Sequence, residues 1–207
     1  EPALMQAQAS RILADLPVAC IKLGMLGSAA AVTAVLDSLA AYRHLPVVMD
    51  PVLSANSGGA LAQSDLRAAL LTALPQISVI TPNSIELRLL AGCEDLDQAV
   101  AKLTEAGATA IWLKGGHEPG EMLINSLYVQ GQLVMRSALP RLPGEFHGSG
   151  CTLAAALAAG LAAGLSLQDA VAQSQDFVSQ ALALADRPRD DGQWLPRRIV
   201  KTWQRST

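Results

Sequence analysis

The stretch His147-Gly148-Ser149-Gly150-Cys151-Thr152 stands directly before residues 153–165, which are almost all alanine, leucine and glycine. Alanine and leucine have high helix propensities, so this run predicts a helix that follows the two glycines. Glycine has no Cβ and lets the backbone turn tightly and approach a ligand closely. A helix N-terminus favours anions because of its unpaired N–H groups and its dipole. We interpret the stretch as an anion-binding loop. Taken alone, the two glycines would be explained equally by a simple tight turn before a buried helix.

Cys151 lies in the first turn of this predicted helix. The positive end of the helix dipole stabilises a thiolate, so we expect a lowered pKa for its thiol. The other cysteines, Cys20 and Cys93, are distant in sequence. Three cysteines without paired spacing predict neither a disulfide framework nor a metal cluster, and they favour the reducing cytoplasm.

Short apolar segments alternate with helical patterns along the chain. We predict strands over residues 18–23, 46–49, 77–80 and 110–113, and a hairpin of 122–129 and 132–137. Helices are predicted before Pro17 and over residues 29–42, 65–74, 84–91, 95–106 and 167–184, with Asp65 as one N-cap and a loop over 54–59. This alternation favours an α/β fold of three layers, a mostly parallel sheet between two helical layers with the hairpin near its edge.

Residues suited to chemistry follow four of the predicted strands. Met25 follows the first strand, Asp50 the second, Asn83 and Glu86 the third, and Lys114 the fourth. Ligands of such sheets bind beyond the carboxyl ends of the strands, so these residues are expected to converge there.

The pair Asn83 and Glu86 has two interpretations. An Asn with a Glu three residues later is typical of a capping box at a helix start. Carboxylate and amide oxygens are also the ligands that Mg²⁺ prefers, usually with several waters retained.

Length and composition limit the domain number and the kinds of partner that the chain can have. A chain of 207 residues is expected to form one domain over residues 1–207. A net charge of −3 without a basic block argues against nucleic acid as a partner. The uncharged region after His147 is diluted by glycine and serine, so we predict no membrane span.

Five segments carry a family resemblance: Ile21-Lys22-Leu23-Gly24-Met25-Leu26, Met49-Asp50-Pro51-Val52, Thr81-Pro82-Asn83-Ser84-Ile85-Glu86, Leu113-Lys114-Gly115-Gly116-His117, and the stretch from His147 to Thr152. Together and in this order they resemble the ribokinase-like superfamily. Within it they are most similar to the hydroxymethylpyrimidine and phosphomethylpyrimidine kinases of thiamine biosynthesis. The resemblance spans nearly the whole chain and implies the ribokinase-like three-layer fold.

The resemblance implies a role for each matching position. Gly148, Ser149 and Gly150 correspond to an anion hole for the transferred phosphoryl group, and Cys151 to a residue beside the substrate hydroxymethyl. The residues implied to bind ATP and Mg²⁺ are Lys114, Gly116, Asn83 and Glu86, with Asp50 and Glu86 as the carboxylates near the metal. Met25 and Val52, with Cys151, are implied to line the pyrimidine pocket. ATP is the implied co-substrate, and a homodimer is left open.

The chain also departs from the family pattern. Ser149 replaces the usual threonine and keeps its hydroxyl, whereas Asn56 stands where the family commonly has a lysine. Residues 142–146 are a less polar approach to the anion hole than is usual. The family's first βα unit, with its Gly-Asp-Ser-Gly-Gly-type loop, has no counterpart, so we expect this chain to be part of a longer protein and a poor catalyst alone.

Two other functions remain open at this point. A pyridoxal kinase of the same superfamily also phosphorylates a hydroxymethyl group on a flat ring, although Cys151 favours the pyrimidine. A module that senses a pyrimidine or nucleotide without turnover is favoured by Asn56 and the missing loop, and disfavoured by Cys151, Asn83 and Glu86.

Overall fold

The predicted apolar runs form one six-stranded sheet in the computed structural model, which describes residues 1–53 and 60–199. The strands are β1 (Ile21–Leu23), β2 (Val47–Met49), β3 (Val79–Ile80), β4 (Ala110–Leu113), β5 (Met122–Val129) and β6 (Gln132–Pro140). They lie side by side in chain order. Strands β1 to β4 are parallel, whereas β5 and β6 pair antiparallel. The predicted mostly parallel sheet with a hairpin at its edge is confirmed.

Helices cover both faces of this sheet. Those in the described residues are α1 (Pro2–Asp15), α2 (Ala29–Leu39), α3 (Ala60–Ala73), α4 (Ser84–Ala91), α5 (Leu96–Glu105), α6 (Ser149–Ala162) and α7 (Leu167–Ala183), with a 3₁₀ turn at Leu74–Gln76. Helices α2 to α5 contribute to one apolar core, and α6 and α7 contribute to another. The three-layer α/β/α arrangement is therefore confirmed as well.

Alternation along the strands divides the buried side chains between the two cores, because successive strand residues point to opposite faces. Met49 and Ile80 lie in the core beneath α2 to α5. Val48, Val79 and Trp112 lie in the core beneath α6 and α7. Because both faces are covered, these strands carry nearly continuous apolar runs, as buried parallel strands do.

Two strands are shorter than predicted. The first begins at Ile21, because the Val18 N–H donates to Leu16 O and this local turn keeps the preceding residues out of the sheet. The third is limited to Val79–Ile80. Its predicted start, Ile77, instead donates its N–H to Leu74 O and closes the 3₁₀ turn.

The predictions for helix ends were mixed. Asp95 and Ser166 cap α5 and α7 through side-chain bonds, as expected for residues of this type. Asp65 is not an N-cap: α3 already begins at Ala60, so Asp65 lies inside the helix. Helix α2 ends at Leu39, earlier than predicted, and tight turns follow it. The predicted loop over 54–59, with Asn56, lies outside the described residues.

Small residues let α6 and α7 pack closely. A Cβ placed on Gly160 would lie 3.0 Å from Ala170 Cβ and 3.2 Å from Ala170 Cα. Gly164 does not share this contact, because it follows the helix with a φ of +85°. Within the described ranges, none of the helices combines the length and apolarity that a membrane crossing needs.

Gly160→Val is expected to lower the free energy of unfolding by about 1–3 kcal/mol, because the added side chain forces α6 and α7 apart. Ala162→Val on the same helix is the control, since Ala162 is exposed and loses only helix propensity, at most about 0.7 kcal/mol. Urea unfolding of both variants measures the difference. Equal losses would show that the helix contact at Gly160 is not tight.

Candidate active site

Backbone pairing continues past the strands and brings their carboxyl ends to one edge of the sheet. Asp50 N donates to Leu23 O at 2.9 Å, and Thr81 N donates to Met49 O at 2.8 Å. Lys114 N donates to Pro82 O at 2.9 Å, which pairs the exit of β4 with that of β3. Of the five residues predicted to converge here, Asp50, Asn83, Glu86 and Lys114 are joined by contacts, whereas Met25 is 66% exposed in the loop after β1.

A buried ion pair occupies the centre of this edge. The Lys114 ammonium donates to Asp50 Oδ1 at 2.8 Å, and only 2% of the Asp50 side chain is exposed. Lys114 Nζ also lies 4.0 Å from Glu86 Oε2, while Lys22 Nζ lies 4.0 Å from Asp50 Oδ2. Two carboxylates and two ammonium groups therefore alternate within a small volume.

Asp50 retains capacity for a further ligand. Thr81 Oγ1 and Lys114 both approach Oδ1. The other oxygen, Oδ2, is buried and accepts no hydrogen bond of ordinary geometry among the described residues, although the Cys151 thiol lies near this carboxylate. A buried polar atom in a native protein normally finds a partner, so Oδ2 suits a water or a hydrated cation.

The donors at this edge fit a hydrated magnesium ion rather than a cage made by the protein. Mg²⁺ keeps several waters and is commonly held by one or two carboxylates together with substrate phosphates. Asp50 and Glu86 could supply such carboxylates. In the described part of the chain, no cluster of three or more His, Cys, Asp or Glu residues is arranged to hold a metal ion.

Asn83 and Glu86 form the capping box that their spacing predicted. Asn83 Oδ1 accepts from Glu86 N, and Glu86 Oε2 accepts from Asn83 N, both at 2.8 Å. Burial raises the pKa of the Glu86 carboxyl above its ordinary value of 4.5, although Lys114 and the Asn83 N–H oppose this shift. Glu86 thus caps α4 and also faces the ammonium of Lys114, so the two interpretations of the pair are compatible.

The glycine loop lies directly beside Lys114. Gly148 is the N-cap of α6 and adopts a left-handed φ of +79°, which favours glycine. A Cβ on Gly150 would lie 3.1 Å from Lys114 Nζ, so the absence of a side chain lets the ammonium reach the start of the helix. The predicted anion loop and the predicted ATP lysine are therefore neighbours.

The expected low pKa of Cys151 is wrong. The residue does lie in the first turn of α6. However, partial burial of the thiol and the neighbouring Asp50 carboxylate raise its pKa above the ordinary 9.0, and the charges of Lys22 and Lys114 do not outweigh them. At neutral pH the side chain is therefore a thiol and not a thiolate.

The three residues predicted for the pyrimidine pocket come from three separate segments of the chain. Met25 is 66% exposed in the loop after β1, and Val52 is partly buried after β2. Cys151 lines an open cavity of about 610 Å³ together with small residues of α6, Phe177, Arg198 and Ile199. Neither Met25 nor Val52 lines this cavity.

Three residues near the site were missed by the sequence reasoning. Lys22 lies within β1 and faces Asp50, and a lysine in an otherwise apolar buried strand is a signal that could have found it. Thr81 approaches Asp50 from the exit of β3. Arg198 donates to Thr152 Oγ1 at 3.1 Å beside Gly148, and no pattern in the sequence predicts that contact.

The chain matches one protein family and relatives that carry the same name. The family model described as phosphomethylpyrimidine kinase matches residues 1–193. The chain is 37% identical over 193 residues to a hydroxymethylpyrimidine/phosphomethylpyrimidine kinase of Rhizobium meliloti, covering 89% of this chain and 71% of that protein. It is 35% identical over 196 residues to the Escherichia coli protein of the same name, covering 90% of this chain and 73% of the other.

Solved structures share the fold. A pyridoxal kinase of Staphylococcus aureus in complex with AMP-PCP and pyridoxal has a TM-score of 0.82 at 25% identity, covering 96% of this chain and 74% of that one. A phosphomethylpyrimidine kinase of Clostridium difficile has a TM-score of 0.70 at 24% identity, covering 87% of this chain and 76% of that one.

Lys114→Met is expected to lower the free energy of unfolding by about 3 kcal/mol, because it leaves the buried Asp50 carboxylate without its closest partner. Adding Asp50→Asn removes that charge, so the double variant should be more stable than the sum of the two single losses predicts. Urea unfolding of the three variants measures the coupling. Lys102→Met is the control, since Lys102 is exposed on α5 and loses only a long hydrogen bond of 3.5 Å to Ala91 O. Strictly additive losses would contradict the pairing.

Alkylation of Cys151 by iodoacetamide is expected to accelerate through pH 8 and beyond pH 9, because only the thiolate reacts and its pKa is raised. Mass spectrometry of the labelled peptides gives the rate at each pH. Cys20 is the internal comparison, since burial raises its pKa to about 11. A rate for Cys151 that is already constant above pH 7 would restore the low-pKa interpretation.

Proposed function

The chain belongs to the phosphomethylpyrimidine kinase family, and we propose on this basis that it phosphorylates 4-amino-5-hydroxymethyl-2-methylpyrimidine and then its monophosphate, in thiamine biosynthesis. ATP is the phosphoryl donor. The observation that carries the proposal is the position of Lys114, whose ammonium touches Asp50, faces Glu86 and lies against Gly150. Phosphoryl transfer depends mainly on positioning and on neutralising negative charge, which this arrangement can provide.

The phosphate end of the site is formed by the start of α6 and by Lys114. The N–H groups at Gly148, Ser149 and Gly150 are assigned to the oxygens of the transferred group, where negative charge is redistributed during the reaction. We assign Lys114 to binding of the ATP phosphates. Gly116 is assigned to a position where the backbone lies close to the nucleotide. A Cβ on Gly116 would meet nothing within 4 Å, so a ligand has room there.

Mg²⁺ is assigned to Asp50 and Glu86 through water. When bound, it would offset the charge of the triphosphate. The described residues contribute Asp50 Oδ2, which is buried and accepts no hydrogen bond of ordinary geometry among them, and the Glu86 carboxylate beside Lys114. Asn83 holds Glu86 in place through the capping box.

Cys151 is assigned to the acceptor alcohol, with Met25 and Val52 on the pyrimidine ring. Because its pKa is raised, the thiol acts by orienting the hydroxyl and not as a preformed base. A loose transition state needs little removal of the hydroxyl proton before the phosphoryl group moves, so orientation can suffice. We also assign the reaction to the cytoplasm and to a single kinase domain.

Pyridoxal kinase is the second candidate. The observation in its favour is that the solved structure in complex with AMP-PCP and pyridoxal superposes more closely than the phosphomethylpyrimidine kinase structure does. The family match and the names of the related sequences favour the pyrimidine. A shared fold hosts several substrates, so the assay must decide.

The test supplies ATP and Mg²⁺ with either alcohol and follows product by chromatography, using the complete natural protein. We expect phosphorylation of the pyrimidine at a kcat/KM at least about tenfold above that for pyridoxal. A preference for pyridoxal would overturn the pyrimidine assignment. Binding of the pyrimidine without ATP consumption would instead support a sensing module.

Glu86→Gln is expected to lower Mg²⁺-dependent kinase activity at least about tenfold, because a neutral amide no longer attracts the hydrated cation. Glutamine preserves the capping box, so the fold should remain. The raised pKa of Glu86 means that its contribution to stability is present below pH 4.5 and is lost as pH rises through the folded-state pKa. The variant should therefore melt at the same or a higher temperature than the parent at pH 7.

Glu105→Gln is the control for this variant, because Glu105 is exposed at the end of α5. Activity titrations with Mg²⁺ and melting curves at pH 4.5 and 7 provide both readouts. A collapse of the melting temperature with an unchanged magnesium requirement would leave Glu86 with the capping role alone.

A further inference from the structure

The loop of residues 115–121, between β4 and β5, is held by one arginine side chain. Arg141 donates to Gly116 O at 2.7 Å, to Glu118 O at 2.6 Å and to Gly120 O at 3.0 Å. Its own backbone N–H donates to Glu121 O at 2.9 Å, directly beyond the pairing of β5 with β6. A single guanidinium thus engages three carbonyls of a loop that begins next to Lys114.

Most of the loop is conformationally permissive, although Pro119 fixes one φ and Glu118 N donates to Gly115 O at 3.3 Å. Three of its residues are glycines, and Gly120 has a φ of +116°, a region that other residues rarely adopt. A Cβ on Gly116 or Gly120 would meet nothing within 4 Å, so side-chain packing does not fix these positions. Order at the two glycines must therefore come from contacts to the backbone. Arg141 supplies three of these contacts because its donors form a rigid planar fork.

The start of the loop is fixed by different contacts. Gly115 N donates to Asn125 Oδ1 at 3.0 Å, and a Cβ on Gly115 would lie 2.0 Å from Ile124 O. Asn125 in turn donates to Gln175 on α7 at 3.0 Å. Farther along, the Glu118 carboxylate accepts from both terminal nitrogens of Arg88, at 2.7 and 3.2 Å. Arg141 acts between these points, on the segment that includes Gly116.

We propose that Arg141 is a positioning residue for the nucleotide, which acts by holding the 115–121 loop so that Gly116 and the neighbouring Lys114 face the ATP phosphates. The inference rests on the proposed function, because it concerns the same site. It assigns Arg141 no contact with substrate. Loss of the side chain frees three carbonyls and the glycine segment between them, and the nucleotide then has to order the loop when it binds.

The test compares Arg141→Gln and Arg141→Lys with the parent protein. Affinity for AMP-PCP in the presence of Mg²⁺ is measured by calorimetry, and hydrogen exchange of residues 115–121 by mass spectrometry. Arg141→Gln should bind AMP-PCP about tenfold more weakly and exchange faster in this loop. Arg141→Lys should fall between it and the parent, because an ammonium keeps the charge without the planar fork. The KM for the alcohol should change less than that for ATP.

Arg136→Gln is the matched control. It removes the same charge from the exposed side of β6, and among the described residues Arg136 makes no hydrogen bond to the loop. Binding of AMP-PCP to this variant should stay within about twofold of the parent. If Arg141→Gln does not fold, Arg141→Lys decides by the same measurements.

Several outcomes would overturn the inference. One is a folded Arg141 variant that binds AMP-PCP as tightly as the parent; another is an equal rise of both KM values, which would indicate general distortion. A parent protein that binds no AMP-PCP would also overturn it. Tight AMP-PCP binding that depends on Arg141, in a protein that phosphorylates neither alcohol, would instead contradict the proposed reaction and leave this inference standing.

Discussion

The candidate site depends on the buried contact between Lys114 and Asp50. A carboxylate that is almost completely withdrawn from water is costly unless it is paired and hydrogen-bonded. Lys114 satisfies it from the exit of β4, across the intervening β3, and so ties together the ends of strands that are not neighbours. Such pairs add little stability compared with apolar residues of the same size. Their chemical value here is that they hold an ammonium group in a fixed place beside Glu86 and the glycine loop.

The sheet explains why residues so far apart in sequence can share this contact. Parallel strands place all their carboxyl ends at one edge, and the backbone bonds of Asp50, Thr81 and Lys114 extend the pairing past the strands. Both sheet faces are covered by helices, so the open edge is where polar groups can remain accessible. The N-terminus of α6 completes the candidate site. It can lie next to the Lys114 ammonium because Gly150 has no side chain.

Local patterns predicted most of the fold, and competing local turns or distant contacts account for what they missed. The carboxyl ends of β1 to β4 and the capping box were predictable because each depends on a few adjacent residues. The short β3 was not, since Ile77 is drawn into a turn by Leu74. The predicted pKa of Cys151 was wrong because the sequence reveals only the helix N-terminus, which lowers the pKa of a thiol. It does not reveal that Asp50, which is distant in sequence, lies nearby and raises this pKa. Arg141 had no detectable signature, because its partners are backbone carbonyls that the sequence does not distinguish.

The capping box at Asn83 and Glu86 shows why a local motif cannot by itself separate structure from function. The same Glu86 oxygen that accepts from the Asn83 N–H lies 4.0 Å from Lys114 Nζ. The cap fixes the direction of the carboxylate. Burial raises its pKa, which means that the ionised group is held there at a cost in desolvation free energy. A cap made only for stability would sit better in water, where its charge is solvated. Its burial beside an ammonium group is the feature that points to chemistry, and only the folded chain reveals it.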